Sequence, residues 1–258
     1  MSYTARPYIL AETTWKEVKA TDFDVAILPW GATEAHNYHL PYATDNYQAD
    51  YLMAEAARRV WEAGGKPIVL PCVPFGVNTG QLDVDLCINM NPSTQYAVLK
   101  DVADVVHRAG IKKLMIFNGH GANNFKNMIR ELYPIFPDLF ICALNWFQSG
   151  GDWQKFFEHK PDHAGEMESS VMMTITPQLV KPLSEAGDGA AKKFRFKAFQ
   201  EGWVYSQRKW TTVTADTGVG NPYQASVEKG EKWLEHCIGN ISDFLLEFCQ
   251  TDPQDFYV

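Results

Sequence analysis

Glu34, His36, His39 and Asp45 fall within twelve residues, in the stretch Leu28–Asp45 (LPWGATEAHNYHLPYATD). Carboxylate and imidazole at this density suit Zn, Mn or Fe, and without a thiolate they do not form a structural zinc site. Glu34 and His36 are two apart, so an extended chain points both side chains the same way. Asp45 precedes a helical pattern, which it can cap while offering an oxygen outward. A second group, Asn118-Gly-His120-Gly, pairs a histidine with glycines that let the backbone turn tightly. A third is Asp162-His163-Ala-Gly-Glu166-Met-Glu168. Its His163 lies just outside a helix start, free to titrate near neutral pH and move protons. Its acids suit the positive end of the helix dipole. Taken singly, each group has a plain structural explanation: a polar loop, a strand-end histidine, an acidic first turn. Together they describe a two-metal hydrolase. In such sites one carboxylate is shared by two ligand sets, the ions lie roughly 3.5–4 Å apart, and hydroxide is available at neutral pH.

The elements that must position these groups alternate between apolar runs and helical patterns, which indicates an α/β fold with a mostly parallel central sheet. Asp24–Trp30 (DVAILPW), Lys66–Phe75 (KPIVLPCVPF), Lys113–Phe117 (KLMIF) and Leu139–Trp146 (LFICALNW) read as buried strands. Ligand sites form beyond the carboxyl ends of such strands, and the first two histidine groups follow strands one and three. A helix is expected from Asp45 to the Gly64-Gly65 stop, and another from Pro92 to Ala109 before Gly110. The second carries Val98, Leu99, Val102, Val105, Val106 and Ala109 at helical spacing. Shorter helices are expected toward Tyr133 and Ile175. Ala186–Pro222 has no period and is expected to be a lid, binding loop or assembly surface. The last helix carries an apolar stripe of Val227, Trp233, Leu234, Cys237, Ile238, Ile241, Phe244, Leu245 and Phe248. No linker or repeat divides the chain, so residues 1–258 are expected to form a single domain.

Composition narrows the partners. The net charge of −8 argues against a nucleic-acid partner, which needs a basic footprint. No apolar run reaches membrane-spanning length, and the start lacks a signal-peptide pattern, so no membrane partner is expected. Five scattered cysteines without a C-x-x-C pair fit reduced thiols in a cytoplasmic protein. No glycine-rich phosphate fingerprint follows a strand, which weakens a nucleotide-binding alternative.

The chain resembles the creatininase family, the creatinine amidohydrolases and their relatives. The resemblance rests on Gly31-Ala-Thr-Glu-Ala-His36 with His39-Leu-Pro and Thr44-Asp45, on Asn118-Gly-His120-Gly with Asn123, on His163-Ala-Gly-Glu-Met-Glu168-Ser-Ser, and on Gly218–Gly230 (GVGNPYQASVEKG). These run in order over nearly the whole chain. The resemblance implies a three-layer α/β/α sandwich with its metal site at the carboxyl edge of the sheet. It implies a homohexamer that hydrolyses C–N bonds of cyclic amides, formamides or related small amides, using a divalent metal, two ions per subunit. Carried over by position, Glu34 and His120 bind one metal, Asp45 bridges, and His36 binds the second. His163 matches the histidine that moves protons for the leaving nitrogen. Glu168 is expected to complete the second site or to orient His163. The chain departs from creatininase itself at Ala122, where that enzyme has a glutamate ligand, and at Ala35, where relatives often carry glutamine. Asn78 and Thr79 stand where relatives touch substrate.

The mechanism expected is hydrolysis of a small amide by metal-activated water, with His163 and Glu168 as catalytic groups. Trp153 and the Ala186–Pro222 stretch would close over the substrate, with Asn78 as a further contact. Within the same family, a formamide deformylase or a peptidase trimming a modified peptide is the alternative. Lys192, Lys193, Arg195 and Lys197 could serve a phosphorylated substrate. Loss of the acid at Ala122 also admits a catalytically silent member that binds metal or ligand.

Overall fold

The computed structural model describes residues 4–258. In chain order its main elements are α1 (Trp15–Lys19), β1 (Val25–Trp30), α2 (Thr44–Glu62), β2 (Pro67–Val69), α3 (Pro92–Arg108), β3 (Lys113–Asn118), α4 (Lys126–Leu132), β4 (Phe140–Asn145), α5 (Glu166–Ile175), α6 (Lys197–Gln200), α7 (Trp210–Val213) and α8 (Val227–Gln250). The four strands form a parallel sheet in the order β2-β1-β3-β4.

The side chains of β1 and β3 alternate between two apolar layers, as a strand flanked by helices on both faces requires. Val25, Ile27, Met115 and Phe117 pack with Leu52 and Met53 of α2 and with Trp233, Leu234 and Ile238 of α8. Ala26, Leu28, Trp30, Leu114 and Ile116 pack with Leu99, Ala103 and Val106 of α3 and with Met128 and Leu132 of α4. Each large side chain so enclosed contributes about 1.5–3 kcal/mol. The expected three layers are therefore present, with α2, α5 and α8 on one face and α3 and α4 on the other. Gly64 and Gly110 follow α2 and α3 with φ of 97° and 80°, a conformation that ends a helix cheaply only at glycine.

The elements differ from the sequence expectation in three places. Only Pro67–Val69 of the second run pairs as a strand. Pro71 and Pro74 have no N–H to give, so the ladder breaks and resumes only where Val73 donates to the Pro29 carbonyl (3.0 Å). Ile27 and Pro29 both accept bonds from the β2 side, so the donor missing from Pro29 faces the place where that ladder lapses. Asp45 does not cap α2: the helix starts one residue earlier, and the preceding Ala43 has no side-chain cap. On α3 and α8, Val105, Val227 and Phe244 belong to the apolar pattern but face solvent. They lie at the edges of stripes wider than the buried contact.

Lys113, the first residue of β3, is buried, and its Nζ donates to the carbonyls of Phe248, Cys249 and Thr251 at 2.6–3.0 Å. Those carbonyls end α8 and would otherwise lack partners, and the ammonium also suits the negative end of the helix dipole.

Candidate metal centre

In the order β2-β1-β3-β4, the chain leaves β1 toward one edge and returns from β2 to the other side of β1. The loops after β1 and β3 therefore diverge, opening the crevice where parallel α/β sheets bind ligands. Glu34 and His36 lie on the first loop and His120 on the second. Asp45 enters from the first turn of α2. Asn118, the last residue of β3, clamps the second loop. Its Oδ1 accepts from the His120 N–H (3.1 Å) and from Asn123 Nδ2 (3.0 Å), and its Nδ2 donates to the His120 carbonyl (2.8 Å).

Three histidines enter this crevice in the same way. His36 Nδ1 bonds the Glu34 carbonyl (3.1 Å), His120 Nε2 the Val77 carbonyl (3.0 Å), and His163 Nε2 the Ala35 carbonyl (2.8 Å). A carbonyl only accepts, so the nitrogen facing it carries the hydrogen and the other nitrogen is left to act inward. Those inward nitrogens meet carboxylates. His36 Nε2 lies 3.1 Å from Asp45 Oδ1 and 4.0 Å from Glu168 Oε2. His120 Nδ1 lies 2.8 Å from Glu34 Oε1 and 3.1 Å from Asp45 Oδ2. His163 Nδ1 lies 3.7 Å from Glu34 Oε1. Glu34, Asp45 and His120 form one group able to hold a metal ion, and His36, Asp45 and Glu168 a second. Glu34, His36 and His163 form a third, which overlaps the other two.

These donors fit divalent ions. Glu34 Oε1 and Asp45 Oδ2 are buried without a properly directed hydrogen bond. A ring lone pair held against carboxylate oxygens is repulsive unless positive charge lies among them, either a proton or a cation. With no cation, the charges redistribute. Burial opposes charge on His36, but Asp45 raises its pKa to about 10; burial likewise opposes charge on His120, but Glu34 raises it well above the usual value. Burial would raise Glu34 and Asp45, yet His120 holds the first and His36 the second below the ordinary carboxylate range. Burial lifts Glu168 to about 7, with His36 opposing. Burial lowers His163, with Glu34 opposing.

At pH 7 the metal-free centre therefore holds protons that an arriving cation must displace, because metal ligands bind deprotonated. Zinc added to the chelator-treated protein at neutral pH should release at least about one proton per chain. Calorimetry in two buffers of different ionisation enthalpy measures that number. Binding without proton release would show that His36 and His120 are not the displaced acids.

Ala122 lies exposed on the wall of the cleft and offers no oxygen. Glu168 reaches the second group instead, from the first turn of α5. Its Oε2 also accepts the Ala164 N–H (2.5 Å), which holds Ala164 at a φ of 52° beside His163. Such a conformation is uncommon outside glycine and is kept only where surrounding bonds impose it. Glu166 steadies the same loop: its Oε2 accepts from the N–H groups of Glu158 and His159 (3.0 and 2.9 Å), and its Oε1 pairs with Lys229. His39 lies outside all three groups; its Nε2 meets Ser169 Oγ at 2.7 Å, and burial lowers its pKa to about 4.

The centre forms the floor of a cleft of about 1110 Å³. Asn78 and Trp153 both line it, as do Tyr205–Arg208 and Trp210 from the aperiodic 186–222 stretch. Asn78 is held by its Nδ2 on the Ile88 carbonyl (3.1 Å), and its Oδ1 has no partner. Lys192, Lys193, Arg195 and Lys197 are exposed and do not line the cleft; the cations that do are Lys126, Lys160 and Arg208. Three contributors carried no sequence signal. Gln81 donates to Glu34 Oε2. Trp210 stands edge-on to His163 with ring centres 5.5 Å apart. Arg208 lies over the Trp210 ring at 4.7 Å.

Comparison with known proteins places this architecture. The family profile described as Creatininase: Creatinine amidohydrolase matches residues 11–245. The creatinine amidohydrolase of Pseudomonas putida is 26% identical over 94% of this chain and 98% of its own. The mycofactocin precursor peptide peptidase of Mycobacterium ulcerans (strain Agy99) is 23% identical over 93% and 94%. Among solved structures, a protein of Bacteroides fragilis NCTC 9343, provisionally assigned as a creatinine amidohydrolase, is 41% identical. It superposes with a TM-score of 0.91 over 99% of this chain and 100% of its own. A manganese form of creatininase superposes with a TM-score of 0.79 at 24% identity, covering 95% of this chain and 99% of that one.

Proposed function

The chain belongs to the creatininase family, and from that membership we propose that it is a metal-dependent amidohydrolase. It would cleave a C–N bond of a small cyclic amide or formamide with two divalent ions, Zn, Mn or Fe. The observation that carries this reading is the shared carboxylate: Asp45 turns one oxygen to His36 and the other to His120, and each histidine is fixed by a backbone carbonyl on its far side. Such outer partners set the tautomer and aim of metal-binding histidines. Structures of the manganese form and of a Zn-Zn type creatininase show that related proteins bind such ions.

Glu34, Asp45 and His120 would hold one ion, and His36, Asp45 and Glu168 the other. Bound there, divalent ions polarise a carbonyl and make hydroxide available at neutral pH. The chain's own groups do the rest. His163, with Nε2 committed to Ala35, takes a proton at Nδ1 and returns it to the departing nitrogen. Glu168 holds the loop that aims His163, through Ala164. Asn78, on the cleft wall, would be a further substrate contact. Trp153 and the 186–222 stretch narrow the cleft and exclude water. We read residues 1–258 as one domain, since α8 packs on α2 from the first half of the chain as well as on α5 from the second. A cytoplasmic homohexamer is our reading of the whole protein. Free thiols at all five cysteines support the reducing setting. Exposed Leu82, Leu86 and Tyr205 supply apolar surface for assembly. Among the described residues, no helix is long and apolar enough to cross a membrane.

One observation favours a second reading within the family. A cleft of about 1110 Å³ exceeds the usual span for drug-sized ligands and has room for the end of a modified peptide.

Purification without chelator should yield about two divalent ions per chain. The loaded protein should hydrolyse at least one member of a panel of lactams, cyclic ureas, formamides and short peptides. Near-zero metal with no turnover would favour the silent alternative and overturn the proposal. Turnover of peptides alone would select the second reading.

A further inference from the structure

Three cations line the cleft, Lys126, Lys160 and Arg208, in a chain whose net charge is −8. Among the described residues none of the three forms a salt bridge, whereas neighbouring Lys209 lies 3.5 Å from Asp83. Apart from the floor carboxylates, the one acid lining the cleft is Asp162. Arg208 is placed more firmly than a solvated surface cation. Its guanidinium lies 4.7 Å over the Trp210 ring, and that ring stands against His163. The backbone beneath it is pinned. Trp210 Nε1 donates to the Thr217 carbonyl (2.8 Å), and Lys209 and Thr211 both hold Asp83. A side chain at Gly80 would come within 2.6 Å of the Arg208 carbonyl, so glycine there permits the close approach. A guanidinium stacked on an aromatic face keeps its in-plane donors free for a planar anion. Among the described residues the Arg208 side chain donates to no other group.

We propose that Arg208, stacked on Trp210 one ring away from His163, binds an anionic group on the substrate while the amide lies at the histidine–carboxylate floor. Lys160 lines the same cleft, and its charge and that of Arg208 both act on Asp162. The substrate class is then an amide or formamide bearing a carboxylate or phosphate at its unreacting end. The inference rests on the amidohydrolase reading and narrows it.

The test uses the full-length, metal-loaded protein and three formamides: N-formylglycine, its methyl ester, and N-formylethanolamine phosphate. Initial rates give the KM of each probe that is turned over, and calorimetry the affinity of each that is not, for the parent chain, Arg208→Gln and Arg208→Lys. An anionic probe should bind the parent chain about tenfold or more tightly than the neutral ester. That preference should collapse in Arg208→Gln and return in part in Arg208→Lys. The stronger of the two anions identifies carboxylate or phosphate as the group. Equal binding of ester and anions, or no binding of either anion, would overturn the proposal. So would an undiminished preference in Arg208→Gln, because an anion held only by the ions is indifferent to that residue. The failures are separable: a loaded chain that hydrolyses amides without charge preference sinks this proposal alone, and a chain without ions sinks the broader one.

Discussion

Replacing Asp45 by alanine should empty both ion positions and abolish hydrolysis together. One of its oxygens lies 3.1 Å from His36 Nε2 and the other 3.1 Å from His120 Nδ1, so a single side chain serves both groups. Altering even an outer partner of a metal ligand costs about 10–100-fold in affinity or activity. Losing a shared ligand should cost each position at least about that much. Glu34→Ala provides the contrast, since Glu34 serves the His120 group and not the His36–Glu168 group. Elemental analysis should find neither ion in Asp45→Ala and a reduced count in Glu34→Ala. Asp45→Asn keeps the size of the side chain and removes its charge, which separates loss of ligand from loss of packing. Full metal content in Asp45→Ala would refute the bridging role.

His163→Gln should leave both ions bound and lower kcat by about 10²–10⁴, the range for a positioned proton carrier. The distances separate His163 from the ligands. Its Nδ1 stands 3.7 Å from Glu34 Oε1, against 2.8 Å for His120 Nδ1. Burial lowers its pKa, with the Glu34 charge opposing. The ring is therefore neutral at pH 7 and able to accept a proton. As pH falls through that lowered pKa, the ring becomes charged and stops accepting. The parent enzyme should lose kcat/KM on the acid side, and His163→Gln should lose that limb. Because His163 also falls within the group formed with Glu34 and His36, loss of an ion in His163→Gln would make it a ligand instead.

The layers and the position of the centre were legible in the sequence because both are local patterns. β1 and β3 are uninterrupted apolar runs, and the switch from Trp30 to Glu34 and from Phe117 to His120 marks the carboxyl edge. Glu34, His36, Asp45, His120, His163 and Glu168 all reach that edge. The spacing of Asp45 from the helix suits a cap and a ligand alike; the fold removes the cap, because α2 starts one residue earlier. Hydropathy extends the second strand to Phe75 because it does not register the donors missing at Pro71 and Pro74; only Pro67–Val69 pairs. The 186–222 stretch carries no period because side chains, not a ladder, hold it. Asp216 accepts from the N–H groups of Gly189 and Gly218 and from Thr214 Oγ1, and Asn37 bonds Gly187 from 150 residues away. For the same reason no spacing along the chain relates Gln81, Arg208 or Trp210 to Glu34 or His163.

The third strand has two unlike ends. Lys113 fastens the final helix at its beginning, and the Asn118 clamp presents His120 just past its finish, roughly 16 Å away at the usual rise per residue. Anchorage and reactivity therefore occupy opposite poles of one rigid rod. A change beyond the second pole, as at Ala122, alters the wall of the cleft and leaves the fastening at Lys113 untouched.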